Sequence, residues 1–142
     1  MVERRRRPVP GGWYAAGLLA LLPACGAEDS TAFDADAPIV IDTVPLDGAQ
    51  DVDIELEQIS ATFSESMQTE GWSWVTEAGR PAPVITGLPF YIDDLTTVLP
   101  VRLEPSTEYV VWVNSPDDAD LRKFASSDGV SARAHRIRFT TR

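Results

Sequence analysis

From Pro38 onward the apolar positions recur with a period of two, in short runs separated by Pro, Gly and Asp clusters, the pattern of half-buried strands rather than amphipathic helices. Pro38 to Val44 is predicted as the first strand, ended by the turn Pro45-Leu46-Asp47-Gly48. Val52, Ile54 and Leu56 alternate with Asp53 and Glu55, and the apolar parity then moves to Ile59, Ala61 and Phe63. A one-residue shift exchanges the faces of a strand, so a break or bulge is expected near Glu57-Gln58. Trp72 to Val75 and Pro83 to Thr86 read as shorter strands, the second placed at an edge by its prolines. Thr97, Leu99, Val101 and Leu103 share a face, Tyr109, Val111 and Val113 repeat the pattern, and Ile137 with Phe139 closes the series. Asp117 to Phe124 reads as one helical turn with acids first and bases last. About seven short strands joined by turns predict an all-β, two-sheet antiparallel β-sandwich over 38–142.

The first 24 residues follow a different pattern. Four arginines, Arg4 to Arg7, precede a turn-like Pro8 to Gly12 and an apolar run from Trp13 to Leu22. Such a run is too short to span a bilayer, which needs about 20 apolar residues, and it reads as a secretory signal peptide over 1–24. Its end, Leu22-Pro23-Ala24-Cys25, resembles a bacterial lipobox. The resemblance implies cleavage between Ala24 and Cys25, lipidation of Cys25, and attachment to a membrane through that lipid. Gly26 rather than Asp after the Cys implies, on the same ground, the outer membrane. The other reading is an ordinary signal peptide that leaves Cys25 as a free thiol, or a buried Cys in a cytosolic domain. Lipidation accounts for a single Cys in an exported protein. The stretch 25–37 holds four acids and one large apolar residue, Phe33, and so is expected to be a flexible acidic tether.

Charge narrows the partners. The chain carries 12 Lys and Arg against 22 Asp and Glu in 142 residues, a net charge of −10. Between Cys25 and Gly79 there are 13 acids and no Lys or Arg. Binding to nucleic acid through a basic face is therefore disfavoured, because phosphate affinity rests on clustered cations. One Cys and one His exclude a disulfide framework and most zinc sites. The single imidazole, His135, stands in register with Ile137 and Phe139 and is expected to cap the core side of the last strand, so no catalytic residue is assigned and a hydrolase is the least supported class. The acid pairs Asp34/Asp36, Asp51/Asp53, Asp93/Asp94 and Asp117/Asp118/Asp120 lack the spacing of a calcium loop and read as turns or solvated faces. Neither a metal nor a cofactor is expected.

The tryptophans carry the most open question. Trp72 and Trp74 lie on one face of a short strand, whereas Trp112 alternates away from Tyr109, Val111 and Val113. Partial burial under the 117–131 loop is one reading, and an exposed aromatic platform for sugar rings or a protein partner is the other. Arg136 and Arg138 alternate with Ile137 and Phe139, and are expected to point outward toward Asp53, Glu55 or Glu57.

Four segments in order carry a family resemblance: Pro45 to Val52, Ile59 to Met67 with its Phe63-Ser64-Glu65-Ser66-Met67 end, Leu103-Glu104-Pro105-Ser106-Thr107-Glu108-Tyr109, and Phe139-Thr140-Thr141. Together they resemble the bacterial SbsA-type Ig-like domain, which implies an Ig-like β-sandwich. Tyr109, after Leu-x-Pro, resembles a tyrosine corner, whose hydroxyl bonds backbone upstream and stabilises the fold. The expected protein is a non-catalytic cell-envelope lipoprotein presenting one Ig-like module at the membrane surface for binding or for a structural or adhesive role, with an envelope protein or polysaccharide as partner. A carbohydrate- or polymer-binding module using Trp72, Trp74 and Trp112 is the alternative.

Overall fold

Nine strands form within residues 32–142, the part of the chain that the computed structural model describes: β1 (Val40–Val44), β2 (Ala49–Val52), β3 (Gln58–Phe63), β4 (Trp74–Thr76), β5 (Val84–Ile85), β6 (Phe90–Tyr91), β7 (Thr96–Arg102), β8 (Glu108–Val113) and β9 (His135–Thr141). They make two sheets. The first runs β1-β3-β7, with β5 and β6 sharing the far side of β7; the second runs β2-β9-β8-β4. Every pairing between named strands is antiparallel except β2 with β9, which is parallel, so the second sheet is mixed.

Alternation explains most of the central strands, with Val98 and Val110 buried on the other face as well. Ile59, Ala61, Leu99, Val101, Tyr109, Val111, Val113, Ile137 and Phe139 point into the space between the sheets and are buried. Their registers stack them in layers, Ile59 beside Leu99 in one sheet and Val111 beside Ile137 in the other. Burial of this kind stabilises by about 25 cal/mol per Å² of apolar surface removed from water.

Three segments differ from the sequence expectation. After Val52 the alternation Ile54-Leu56 is a turn and not a strand, because Asp53 captures the backbone: its Oδ1 accepts the Glu55 N–H at 2.9 Å and its carbonyl accepts the Leu56 N–H at 3.1 Å. The strand there is the more polar Ala49–Val52, which pairs with β9. The two-residue strand β6 follows Leu88-Pro89 and was not expected at all. Residues 33–37, placed in the tether on composition, pack on the sandwich. Ala37 is buried, its N–H donates to the Asp34 carbonyl at 3.1 Å, and the Arg122 guanidinium lies 3.9 Å over the Phe33 ring. The folded unit accordingly runs from Phe33 to Arg142.

The 114–134 segment closes one end of the sandwich. Ala119–Leu121 is a short 3-10 helix capped by Asp118, whose side chain accepts the Asp120 N–H. Asn114 is the hub. It is fully buried at φ 60°, its Nδ2 donates to the Phe124 and Ala132 carbonyls at 3.0 and 2.9 Å, and its Oδ1 accepts the Phe124 N–H at 3.1 Å. Asn is among the few residues that tolerate this left-handed backbone, and here every polar atom of its amide group is engaged. The result is that Phe124 is driven into the core from a loop.

Candidate functional site

Where β4 ends one sheet and β5–β6 end the other, the sandwich stays open. Trp74 and Thr76 stand opposite Val113 and Val111 across β4–β8, which points both inward, while Ile85 stands opposite Val101 on β7. Between these two edges lies a groove of about 330 Å³, lined by Trp72, Trp74, Ile85, Leu88 and Pro89, with Leu99 and Val111 also contributing. Thr76 carries the one hydroxyl of the lining, Trp72 and Trp74 add indole N–H groups, and no titratable group reaches it. Leu88 is 76% exposed and Trp72 39%, so the mouth of the groove is apolar surface open to water. Apolar surface gathered in this way marks an interaction site more than scattered exposed residues do.

Phe124 backs this edge. Its ring meets Trp74 edge-on at 5.6 Å, Phe63 at 5.6 Å and Tyr91 at 6.4 Å, all within the range at which aromatic pairs stabilise one another. Two polar atoms are buried beside it without a hydrogen-bond partner, the Trp74 Nε1 and the Tyr91 Oη. Burial pushes the Tyr91 hydroxyl up to about 12, so it stays protonated.

Trp112 is elsewhere. It stands opposite Arg136 on the outer face of the second sheet, and its indole N–H donates to Glu77 Oε1 at 3.0 Å. The Arg136 Nε donates to the same oxygen at 3.1 Å, and Arg80 pairs with Glu77 at 3.4 Å and with Glu108 at 2.9 Å. The Trp112 and Arg136 hydrogen bonds hold the Glu77 carboxyl below its ordinary range. The three tryptophans therefore do not share one surface: Trp72 and Trp74 line the groove, and Trp112 is tied into a charged cluster behind it. Arg136 finds Glu77 instead of the expected acids of the first strands. Asp53 lies 3.9 Å from Arg142, and Arg138 donates its backbone N–H to Asp47 Oδ1. No sequence signal could link Glu77 to Arg136 across 59 residues, since the contact exists only once β4, β8 and β9 are side by side.

Tyr109 is buried, packs its ring 5.5 Å from Phe139, and accepts the Glu104 N–H on its hydroxyl at 2.8 Å. His135 faces the side of Val113 at the start of β9, half-buried in a shallow cleft with Asp42 and Asp47. Burial lowers its pKa against the opposing pull of Asp47. Asp93 caps a turn, its Oδ1 accepting the Leu95 and Thr96 N–H groups, and Asp94 accepts the Ser66 hydroxyl. Among the described residues no three His, Cys, Asp or Glu side chains gather as metal ligands, and no helix is long and apolar enough to cross a membrane. Ala24 and Cys25 lie outside the described residues.

The bacterial Ig-like domain family profile matches residues 34–141. No curated protein matches the chain. Two structures of the S-layer protein SbsC are similar to it at 13% identity: a crystal structure with a TM-score of 0.45, covering 73% of this chain and 13% of that one, and a structure of domains 1–6 with a TM-score of 0.46, covering 75% and 14%. The chain thus spans about one seventh of the structures it matches.

Proposed function

Because the chain belongs to the bacterial Ig-like domain family, we propose that it acts without catalysis, as a binding or adhesion module of the SbsA-type kind displayed at the cell envelope and held there by a lipid on Cys25. Support for the tether comes from the sequence, where basic start, short apolar run and small residue converge on the single Cys. One acyl chain holds a protein only marginally, at about 0.8 kcal/mol per buried methylene, so several chains on Cys25 would make the anchor stable. The observation that carries the binding role is the groove between β4 and β5–β6: open, apolar and free of titratable lining groups, it can bind by burial and offers no acid, base or nucleophile.

The carbohydrate-binding alternative draws on the exposed ring of Trp72 beside Thr76. Sugar recognition needs hydroxyl partners beside the ring, and the lining supplies one, which favours an apolar protein segment over a glycan. Fractionation of cells making the full chain and its Cys25→Ser variant tests the anchor, with the variant expected in the soluble fraction; persistence in membranes overturns it. Retention of both chains on insoluble envelope polysaccharide, with loss of retention on Trp72→Ala, would replace the protein partner by a glycan.

A further inference from the structure

The edge on the far side from the tryptophans is also unpaired. β1 pairs with β3 alone, so from Val40 onward its other backbone edge meets no strand among the described residues, and just before it the Pro38 carbonyl accepts the Arg133 N–H at 2.9 Å. Ile39, Ile41, Val44 and Leu46 are exposed along it, Ile41 at 60% and Leu46 at 63%. Side chains of β1 and the turn after it, Ile41, Asp42, Leu46 and Asp47 among them, enclose with His135 a cleft of about 280 Å³. Natural edges are blunted against pairing by bulges, prolines and charges, above all lysines. β1 has one bulge, between Val40 and Asp42, and one charge, Asp42.

Charge decides what fits. From Val40 to Ile54 every charged side chain is an acid: Asp42, Asp47, Asp51 and Asp53. The cleft itself is lined by Asp42 and Asp47 with no Lys or Arg. Asp47 is fixed in place by the Arg138 N–H on its Oδ1, while the Arg138 side chain belongs to the outer face of the second sheet, beside Val110. Arg133 is the other nearby cation, and its Nη2 lies 3.5 Å from the Asp34 carbonyl. A second copy docking edge to edge would bring together two edges whose charged side chains, Asp42 and Asp47, are all acids, in a chain of net charge −10, so no cation would meet them, whereas opposite charges across strands are stabilising.

We propose that the β1 edge receives, as an added strand, an extended segment of a partner protein in which aliphatic side chains alternate with Lys or Arg. Backbone pairing along β1 gives the affinity, the aliphatic side chains lie on Ile41 and Leu46, and the cations meet Asp42 and Asp47. The inference goes beyond the envelope-module reading and is independent of the lipid on Cys25.

The test uses the detergent-solubilised full chain and a fluorescent eight-residue peptide alternating Lys and Val, with Lys-Ser and Glu-Val peptides as controls. Expected are binding by anisotropy for the Lys-Val peptide alone, slowed amide exchange confined to Val40–Val44, and affinity about tenfold weaker in Ile41→Ser and in Asp42→Asn. Glu104→Gln, at an exposed acid outside that cleft, leaves the affinity unchanged. Both β1 side chains are exposed, so the melting temperatures should hold; where Ile41→Ser lowers its own, Leu46→Ser takes its place. The proposal is overturned by no binding, by equal binding of the Lys-Ser peptide, by protection on β5–β6 instead of β1, or by a concentration-dependent dimer that Ile41→Ser abolishes, which would make the occupant a second copy.

Discussion

The two open edges of the sandwich are built alike and dressed differently. At each, a strand that ends one sheet faces the end of the other across a gap, and exposed aliphatic side chains crowd the opening. At the β4 edge the lining is aromatic and uncharged, and Phe124 fills the space behind it from the 114–134 loop. At the β1 edge the turn after the strand supplies Leu46 and Asp47 instead of a ring, and the lining holds two acids and a histidine. Topology fixes where a sandwich is open; a loop side chain and a few charges decide what each opening can hold.

The comparison breaks most easily at Phe124. Phe124→Ala should cost about 4 kcal/mol, because a fully buried ring with three aromatic neighbours leaves a cavity. Denaturant unfolding gives the magnitude, and amide exchange should quicken at β4 and β6 while β1 is little changed. Equal loosening of both edges would show that the loop supports the whole sandwich and not one edge of it.

Tyr109→Phe is the control between the edges. Removing its hydroxyl leaves the Glu104 N–H without its acceptor and should cost about 1–3 kcal/mol, read as a lowered denaturant midpoint that affects both edges alike. An unchanged midpoint would mean that water replaces the hydroxyl at no cost.

The smallest effect belongs to the β1 edge and depends on pH. Burial depresses the His135 pKa below 6.5, so the unfolded chain binds its proton more readily than the folded one does. The stability that neutral His135 contributes is present in full above pH 6.5 and is lost as pH falls through the folded value. Thermal melts across this window should show a decline that His135→Gln removes, with the signal of exchange at β1 rather than at β4. A decline that survives the substitution would shift the cause to carboxylates such as Glu77, whose lowered pKa acts below 4.5.

How far the sequence reveals these regions follows from how local their causes are. β7, β8 and β9 are legible because their inward residues alternate and each strand has partners on both sides, although Val98 and Val110 are buried on the other face too. The same rule misread Ile54 and Leu56, where Asp53 offers its own carboxylate and carbonyl to the backbone and wins locally over strand pairing. Trp72 and Trp74 were read onto one face, and they do line one groove. The opposite wall, Ile85, Leu88 and Pro89, lies more than ten residues away and is assembled only by the pairing of β5 and β6 with β7. Phe124 was hidden because nothing in a run of acids and bases announces that Asn114 will fold it inward.

The parallel pairing of β2 with β9 sets the order in which the domain can be made. β9 lies in the middle of its sheet, between one of the first strands and β8, and the Arg142 N–H donates to the Val52 carbonyl while Gly48 donates to Arg138. Until His135–Thr141 has left the ribosome, β2 has no neighbour, β8 lacks one flank, and Ile137 and Phe139 are missing from the core. Long-range pairings of this kind form slowly. A chain cut short before His135 therefore keeps the strands of its first sheet but lacks the middle of the sheet they pack against.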